Sequence, residues 1–270
     1  MSFFKRLKYY GSSVFRMAFG FKNFFPLIPY FLNKDKDNEV FVALRKDPLC
    51  LVARGAMDIW SIKETFLDAF YTGYGVPIRD GWTVMDIGAG IGDFSIYAAH
   101  ENPHGTIFAF EPFPESYHLL ERNIALNGIE NVLAFQSAVW GQAGFLHLDN
   151  SSGEPLQVVS KESSSSKIEK GVIKVSALPL SQVFETHAIR KLDLLKLDCE
   201  GAEYAILMGS SPDVFDKIER IIMEYHDIDE NHNHNNLASF LRGLGYKVSC
   251  YDNFVHDNIG YLFAESKQDC

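Results

Sequence analysis

Residues Val84 to Ala99 read VMDIGAGIGDFSIYAA. The stretch from Trp82 to Ile87 has the pattern and length of a buried strand. Gly88, Gly90 and Gly92 then punctuate a turn, and Asp93 to Ala99 has the makings of a helix. A strand, a glycine-rich turn and a helix in that order form a setting for a nucleotide-type ligand. Glycines let the chain turn sharply and let the ligand approach the backbone. Glu111 closes the next apolar run, Thr106 to Phe110, about 20 residues on. An acid at that point can accept hydrogen bonds from ribose hydroxyls.

Two cofactor classes use such a turn. A dinucleotide site wants G-x-G-x-x-G, with pyrophosphate on the helix N-terminus. Here the sixth position is Asp93, and Asp86 lies just before the turn. Two acids disfavour pyrophosphate and suit a ligand with an ammonium or sulfonium group, which points to S-adenosylmethionine. An NAD-dependent oxidoreductase or epimerase is the rival reading. A plain tight turn with solvated acids is the bland one.

Working outward, strands and helices alternate. Further strands are expected at Val132 to Val139, Leu192 to Leu197 and Arg220 to Tyr225, with helices after Pro114, over Ala202 to Met208 and around Leu237 to Leu241. Tyr246 to Tyr251 and Gly260 to Ala264 are two strands joined without a helix, so they pair antiparallel. Short β-like pieces at Phe145 to Leu148, Leu156 to Val159 and Val172 to Val175 read as hairpins beside the sheet, and Lys161 to Lys167 as a surface loop. The second part of Leu49 to Tyr74 has helical spacing. The fold class is α/β: a Rossmann-like, doubly wound, mostly parallel sheet, with an antiparallel strand near the C-terminal end and a β-hairpin insert. Residues 49–270 are expected to form this domain and residues 1–48 a basic, aromatic extension.

A second stretch, Lys196 to Tyr204, reads KLDCEGAEY. In open α/β sheets the ligand crevice lies beyond the carboxyl ends of the strands. Asp198 stands at such a strand tip, able to contact a cofactor ammonium or the acceptor. Glu200 is a candidate base or substrate contact. Glu203 has a plainer reading, an acid in the first turn of a helix stabilised by the dipole. His226 ends the next strand, and an unperturbed imidazole can take a proton near neutral pH. Tyr225, Tyr251 and Phe254 are candidates for an acceptor pocket or for ordinary core. His226, Asp227, Asp229, His232 and His234 share a polar loop whose spacing matches no metal site, so no metal is expected.

The chain carries a formal net charge of −10, with a pI near 5.4. An acidic body does not attract nucleic acid, which is not expected as a partner. Four scattered cysteines without a C-x-x-C pair fit a reducing, cytoplasmic compartment. The N-terminus departs from this average. Lys5, Arg6, Lys8, Arg16 and Lys22 occur with no acid before Asp35, interleaved with apolar residues from Phe3 to Phe25 that are mostly phenylalanine. Residues 1–32 read either as a peripheral contact with an anionic membrane surface or as a helix packed on its own domain or on a second subunit.

VMDIGAGIGDFSIYAA, FAFEPFPESYHLLERNIALNG, LDLLKLDCEGAEYAILMGS and IIMEYH together resemble the FkbM family of class I S-adenosylmethionine-dependent methyltransferases. The resemblance runs from about Cys50 to Ala264, and the D-x-E-G-x-E signature at Asp198 to Glu203 is its specific part. Gly90 stands where the family usually has asparagine, and Cys199 replaces an aliphatic residue. The resemblance implies a seven-stranded sheet and S-adenosylmethionine as cofactor. Asp86, Gly88, Gly90, Gly92 and Asp93 would hold its methionine part, Glu111 its ribose, and Ser137 and Ala138 would lie against its adenine. It also implies O-methylation of a hydroxyl on a small molecule, sugar or lipid-linked glycan. A non-catalytic module that keeps the fold is the remaining alternative.

Overall fold

The computed structural model describes residues 3–32, 38–149, 156–161, 172–253 and 255–267. Two helices come first, α1 (Phe3–Gly20) and α2 (Phe24–Phe31), then the strand pair β1 (Val40–Ala43) and β2 (Cys50–Ala53). Helix α3 (Ala56–Lys63) runs into a π-helical turn, Glu64–Asp68, and α4 (Phe70–Tyr74) follows. The alternating part contains β3 (Thr83–Ile87), α5 (Asp93–Glu101), β4 (Thr106–Phe110), α6 (Pro114–Leu126) and β5 (Val132–Phe135). An insert holds β6 (Ala138–Val139), β7 (Gly144–Asp149), β8 (Leu156–Lys161) and β9 (Val172–Leu178). The chain continues through α7 (Leu180–Thr186), β10 (Leu194–Leu197), α8 (Glu203–Met208), α9 (Pro212–Phe215), β11 (Arg220–His226) and α10 (His234–Gly243). It closes with β12 (Tyr246–Asp252) and β13 (Ile259–Ser266).

The main sheet has seven strands in the order β12-β13-β11-β10-β3-β4-β5. The pairs from β11 through β5 are parallel, and β13 runs antiparallel between β11 and β12. This is the mostly parallel α/β sheet expected, with its antiparallel strand near the C-terminal end. Side chains alternate across it. Met85, Ile87, Leu195, Leu197, Ile221 and Met223 pack on one face with residues of α7 to α10. Val84, Ile107, Leu194 and Ile222 pack on the other with Phe94 and Ala98 of α5. The same alternation puts Asp86 and Lys196 on the α5 face, where register pairs them directly across β3 and β10.

Four expectations change. The strand foreseen over Val132 to Val139 is two strands in two sheets. A tight bond from the Ser137 N–H to the Phe135 carbonyl (3.0 Å) kinks the chain between them. The insert is more than hairpins. β7 and β8 do form one, but β7 also pairs with β9, and β9 pairs with β6, giving a four-stranded sheet in the order β6-β9-β7-β8. Asn233 caps α10 by accepting from the Asn235 and Asn236 N–H groups, so the polar stretch read as a loop to His234 already enters a helix at its last residue. The short strands β1 and β2 were not foreseen, because they are brief and lack a long alternating pattern. Glu162 to Lys167 of the expected surface loop, Phe254 and Cys270 lie outside the described residues.

The N-terminal helices contribute to the core. Met17, Phe21, Leu27 and Tyr30 share one buried cluster with Leu51, Ile59, Ile62, Ile91, Ile96 and Leu119. Among the described residues no helix is long and apolar enough to cross a membrane.

Candidate functional site

The glycine turn sits at the carboxyl end of β3, held between neighbouring strand ends. The Gly88 and Ala89 N–H groups both donate to the Phe110 carbonyl at 3.0 Å, and the Asp198 N–H donates to the Ile87 carbonyl at 3.0 Å. Gly88 has φ of 76°, and a side chain there would run into the Asp198 carbonyl. Glycine is therefore required both by backbone conformation and by the close approach of the β10 tip. Gly90 also has positive φ, 55°, but nothing lies within 4 Å of where its side chain would be. The turn thus presents open space over Gly90.

Glu111 directly follows β4 and is almost fully buried. Its Oε2 accepts from the Gly90 N–H at 2.8 Å, and its Oε1 from the Phe113 N–H at 2.9 Å. Burial pushes its carboxyl up to about 7, against the lowering effect of those two amides. Each oxygen keeps a lone pair for a further donor. Ser137 and Ala138, at the kink between the two sheets, are also buried. Asn123 of α6 braces the region, donating to the Ile91 carbonyl and accepting from the Val52 N–H at 2.7 Å.

The two acids beside the turn are not free charges. Asp86 is sealed from solvent, accepts from the Ser95 hydroxyl at 2.6 Å, and faces Lys196 Nζ at 2.8 Å. Lys196 also donates to the Gly88 carbonyl at 2.9 Å. Burial works against the Lys196 charge, but Asp86 and Asp198 more than offset it, so the ammonium is held above its usual range. Asp93 is buried at the start of α5 and accepts from Thr65 and Ser61 around the π-helical turn. Burial raises its carboxyl to about 6. Neither acid therefore presents a bare charge to a ligand, since Lys196 compensates Asp86 and hydroxyls surround Asp93.

Asp198 lies at the β10 tip, with its side chain 29% exposed. Its Oδ2 accepts from the Tyr71 hydroxyl at 2.7 Å, and Lys196 Nζ is 3.9 Å away. Burial, with the charges of Asp198 and Glu64 adding to it, holds the carboxyl of Glu224 on β11 well above the usual range. Glu64 belongs to the π-helical turn, a feature often found at functional sites. Burial raises it to about 7, and its Oε1 accepts from the Trp60 indole N–H at 2.7 Å and the Tyr9 hydroxyl at 3.2 Å.

Glu200, Glu203 and His226 form one unit. Glu200 has a left-handed backbone, φ 53°, and is followed by Gly201 at φ 94°. This tight bend returns Glu200 towards the β11 end, where His226 Nε2 is 3.2 Å from its Oε2. His226 Nδ1 is 3.2 Å from Glu203 Oε1 on the other side. Glu203 is fully buried and its Oε1 also accepts from the Cys199 and Gly201 N–H groups, both at 3.3 Å. It organises the turn and is more than a surface acid on a helix dipole. Burial alone would lower the His226 pKa, but hydrogen bonds and charge from Glu200 and Glu203 raise it to about 11. Standing between two carboxylates, the His226 ring is favoured in its protonated form, in which both nitrogens donate.

The structure brings Asp86, Gly88, Gly90, Glu111 and Asp198 to the ends of β3, β4 and β10. Glu200 and His226 stand on the β11 side. Lys196, Tyr71 and Glu64 were not singled out from the sequence. Lys196 had a usable signal, a lone charge inside the apolar run LLKL. Tyr71 and Glu64 had none, because only tertiary packing brings Tyr71 to Asp198 and Glu64 to Tyr9. His232 and His234 pair with Asp229 and Asp227 within their own loop.

The family model described as "Methyltransferase FkbM domain" matches residues 86–248. Over 217 residues the chain is 27% identical to "31-O-demethyl-FK506 methyltransferase FkbM" of Streptomyces tacrolimicus, a match covering 69% of this chain and 80% of that protein. It is 31% identical over 189 residues to "Methyltransferase sdnD" of Sordaria araneosa, covering 60% of this chain and 72% of the relative. A similar solved structure is that of M. jannaschii TYW2 in complex with AdoMet, with 15% identity, a TM-score of 0.45, and coverage of 85% of this chain and 86% of that one.

Proposed function

The chain belongs to the FkbM methyltransferase family, and from that membership we propose that it uses S-adenosylmethionine to methylate a hydroxyl oxygen on a small-molecule, sugar or lipid-linked acceptor. The observation that carries this reading is the convergence of Gly90, Glu111 and Asp198 at the carboxyl ends of β3, β4 and β10. Its donor set fits the cofactor. The glycine turn leaves open space over Gly90, buried Glu111 retains lone pairs for two ribose hydroxyls, and partly exposed Asp198 offers a carboxylate to an ammonium. Ser137 and Ala138 are suited to the adenine. When bound, S-adenosylmethionine supplies an electrophilic methyl group on a sulfonium.

The protein's own part is positioning and proton management. Lys196 fixes Asp86, and with Ser95 and the Gly88 carbonyl it holds the turn in shape. Tyr71 orients Asp198 by donating to one of its oxygens. The second oxygen is then available to a cation or to the acceptor hydroxyl. That hydroxyl must lose its proton as its oxygen gains the methyl group, and a carboxylate at hydrogen-bond distance serves as the base. Asp198 is the residue proposed for this. Glu200, 45% exposed and anchored by His226, is proposed to contact the acceptor. Oxygen as the methylated atom draws support from the relative whose name specifies 31-O-demethyl-FK506.

The test is incubation with methyl-labelled S-adenosylmethionine and a fractionated extract, followed by identification of the labelled fraction and of the methylated atom. Calorimetry with S-adenosylmethionine and with NAD stands beside it. Binding of NAD without S-adenosylmethionine would overturn the cofactor assignment, and label on nitrogen would overturn the acceptor assignment.

A further inference from the structure

Helices α1 and α2 are each buried on one side and aromatic on the other. Met17 and Ser13 of α1 are sealed inward, whereas Phe15 and Phe19, one turn apart, are 69% and 74% exposed. In α2, Leu27 and Tyr30 face the core, while Phe25 is 79% exposed and Leu32, just beyond the helix, 57%. Single exposed apolar residues are ordinary, but several large aromatic side chains on one helical pair mark a contact surface.

Charge selects the partner. Residues 1–32 contain five lysines and arginines and no acid, in a chain whose net charge is −10. Lys22, between the two helices, is exposed. A groove of about 280 Å³ beside Phe19 is lined by Arg45, Lys46, Asp47, Phe66 and Leu67. Arg45 is anchored to the Phe19 and Phe21 carbonyls at 3.0 Å, so its guanidinium stays at this edge. Two acids lie at or near this groove. Asp68 pairs with Arg16 and Lys63, and Asp47 lies 3.9 Å from His100. Exposed aromatics rimmed by lysine and arginine match the boundary of a bilayer, where rings enter the acyl edge and cations meet anionic headgroups. A second copy of this chain meeting the same face would set cation against cation.

We propose that the α1–α2 face seats the protein peripherally on an anionic lipid bilayer, with the acidic remainder of the chain turned towards water. On its inner side α1 is tied to the domain, where the Tyr9 hydroxyl donates to Glu64 at 3.2 Å. As a corollary that rests on the proposed methyl transfer, a lipid-linked hydroxyl is the acceptor class this arrangement favours.

The test is flotation of the full chain with vesicles of phosphatidylcholine alone and of phosphatidylcholine with phosphatidylserine, with no cofactor present. This keeps it separate from the question of methyl transfer. Binding to the anionic vesicles only, falling as salt rises, is the expected result. The F15S/F19S/F25S variant should bind at least on the order of tenfold more weakly, because less apolar area enters the interface. All three positions are exposed, so its circular dichroism and unfolding midpoint should match the parent protein. Absence of binding by the parent protein, or equal binding by the variant, would overturn the proposal. So would a dimer that the same substitutions dissolve, which would make the face an interface between copies.

Discussion

Lys196 and Asp86 stand opposite one another on neighbouring strands, Nζ to Oδ1 at 2.8 Å, with both side chains sealed from solvent beneath the glycine turn. A buried ion pair contributes little net stability compared with a well-packed apolar pair, because desolvation opposes the Coulombic gain. Removing one partner is different, since it strands the other charge. Lys196→Met is therefore expected to destabilise the fold by about 3–5 kcal/mol. Lys196→Met with Asp86→Leu should recover a large part of that loss. Denaturant unfolding of the two variants checks this, and equal stability of the single variant and the parent would show that the pair is not coupled.

The glycine turn separates two effects of the same substitution. Gly88→Ala drives a methyl group into the Asp198 carbonyl and should unfold the turn, lowering both stability and cofactor affinity. Gly90→Ala meets no neighbour, so its cost to the fold is only the strain of a positive φ, about 1–2 kcal/mol. Its methyl group occupies the space proposed for the cofactor, so affinity should fall more than stability does. Thermal melts and calorimetry with S-adenosylmethionine together read the distinction.

Glu111→Ala removes the acceptor for the Gly90 and Phe113 amides and for the proposed ribose contact. A weakening of S-adenosylmethionine binding by about 1–3 kcal/mol is expected. Affinity unchanged in calorimetry would mean that the ribose lies elsewhere.

Asp198→Asn keeps shape and the Tyr71 hydrogen bond but cannot take a proton. Turnover should drop on the order of a hundredfold while the unfolding midpoint moves little. Full activity under saturating cofactor would remove Asp198 from the proposed chemistry.

His226 links stability to pH. Its folded pKa, raised to about 11 by Glu200 and Glu203 against the opposing effect of burial, lies above the unfolded value near 6.5. The folded state therefore binds more protons across that interval. The stabilisation is fully present below about pH 6.5 and declines as pH rises towards 11. The stability difference between the parent protein and His226→Gln should shrink over the same window in urea titrations at stepped pH. A difference that stays constant with pH would mean that His226 is neutral in the fold.

Much of this was legible in one dimension. Strand and helix order follows from periodicity, and the glycine turn from residues that alone tolerate its backbone. Glu111 and Asp198 could be placed because each directly follows an apolar run, and a strand end has a fixed direction in an α/β sheet. The split at Ser137 was not legible, since Val132 to Val139 keeps a strand-like composition across the kink. The second sheet was only partly so, because local sequence does not say which strand pairs with which.

By itself the sequence determined the α/β class, the strand-turn-helix at Gly88 to Gly92, and the acids that border it. These depend on backbone freedom and on alternation, which act over a few residues. Only the tertiary structure decided what those acids do. It brought Lys196 against Asp86, set His226 between Glu200 and Glu203, carried Tyr71 to Asp198, and joined Tyr9 to Glu64. Protonation state and charge balance depend on partners distant in the chain and on exclusion of water, and neither exists until the sheet has formed.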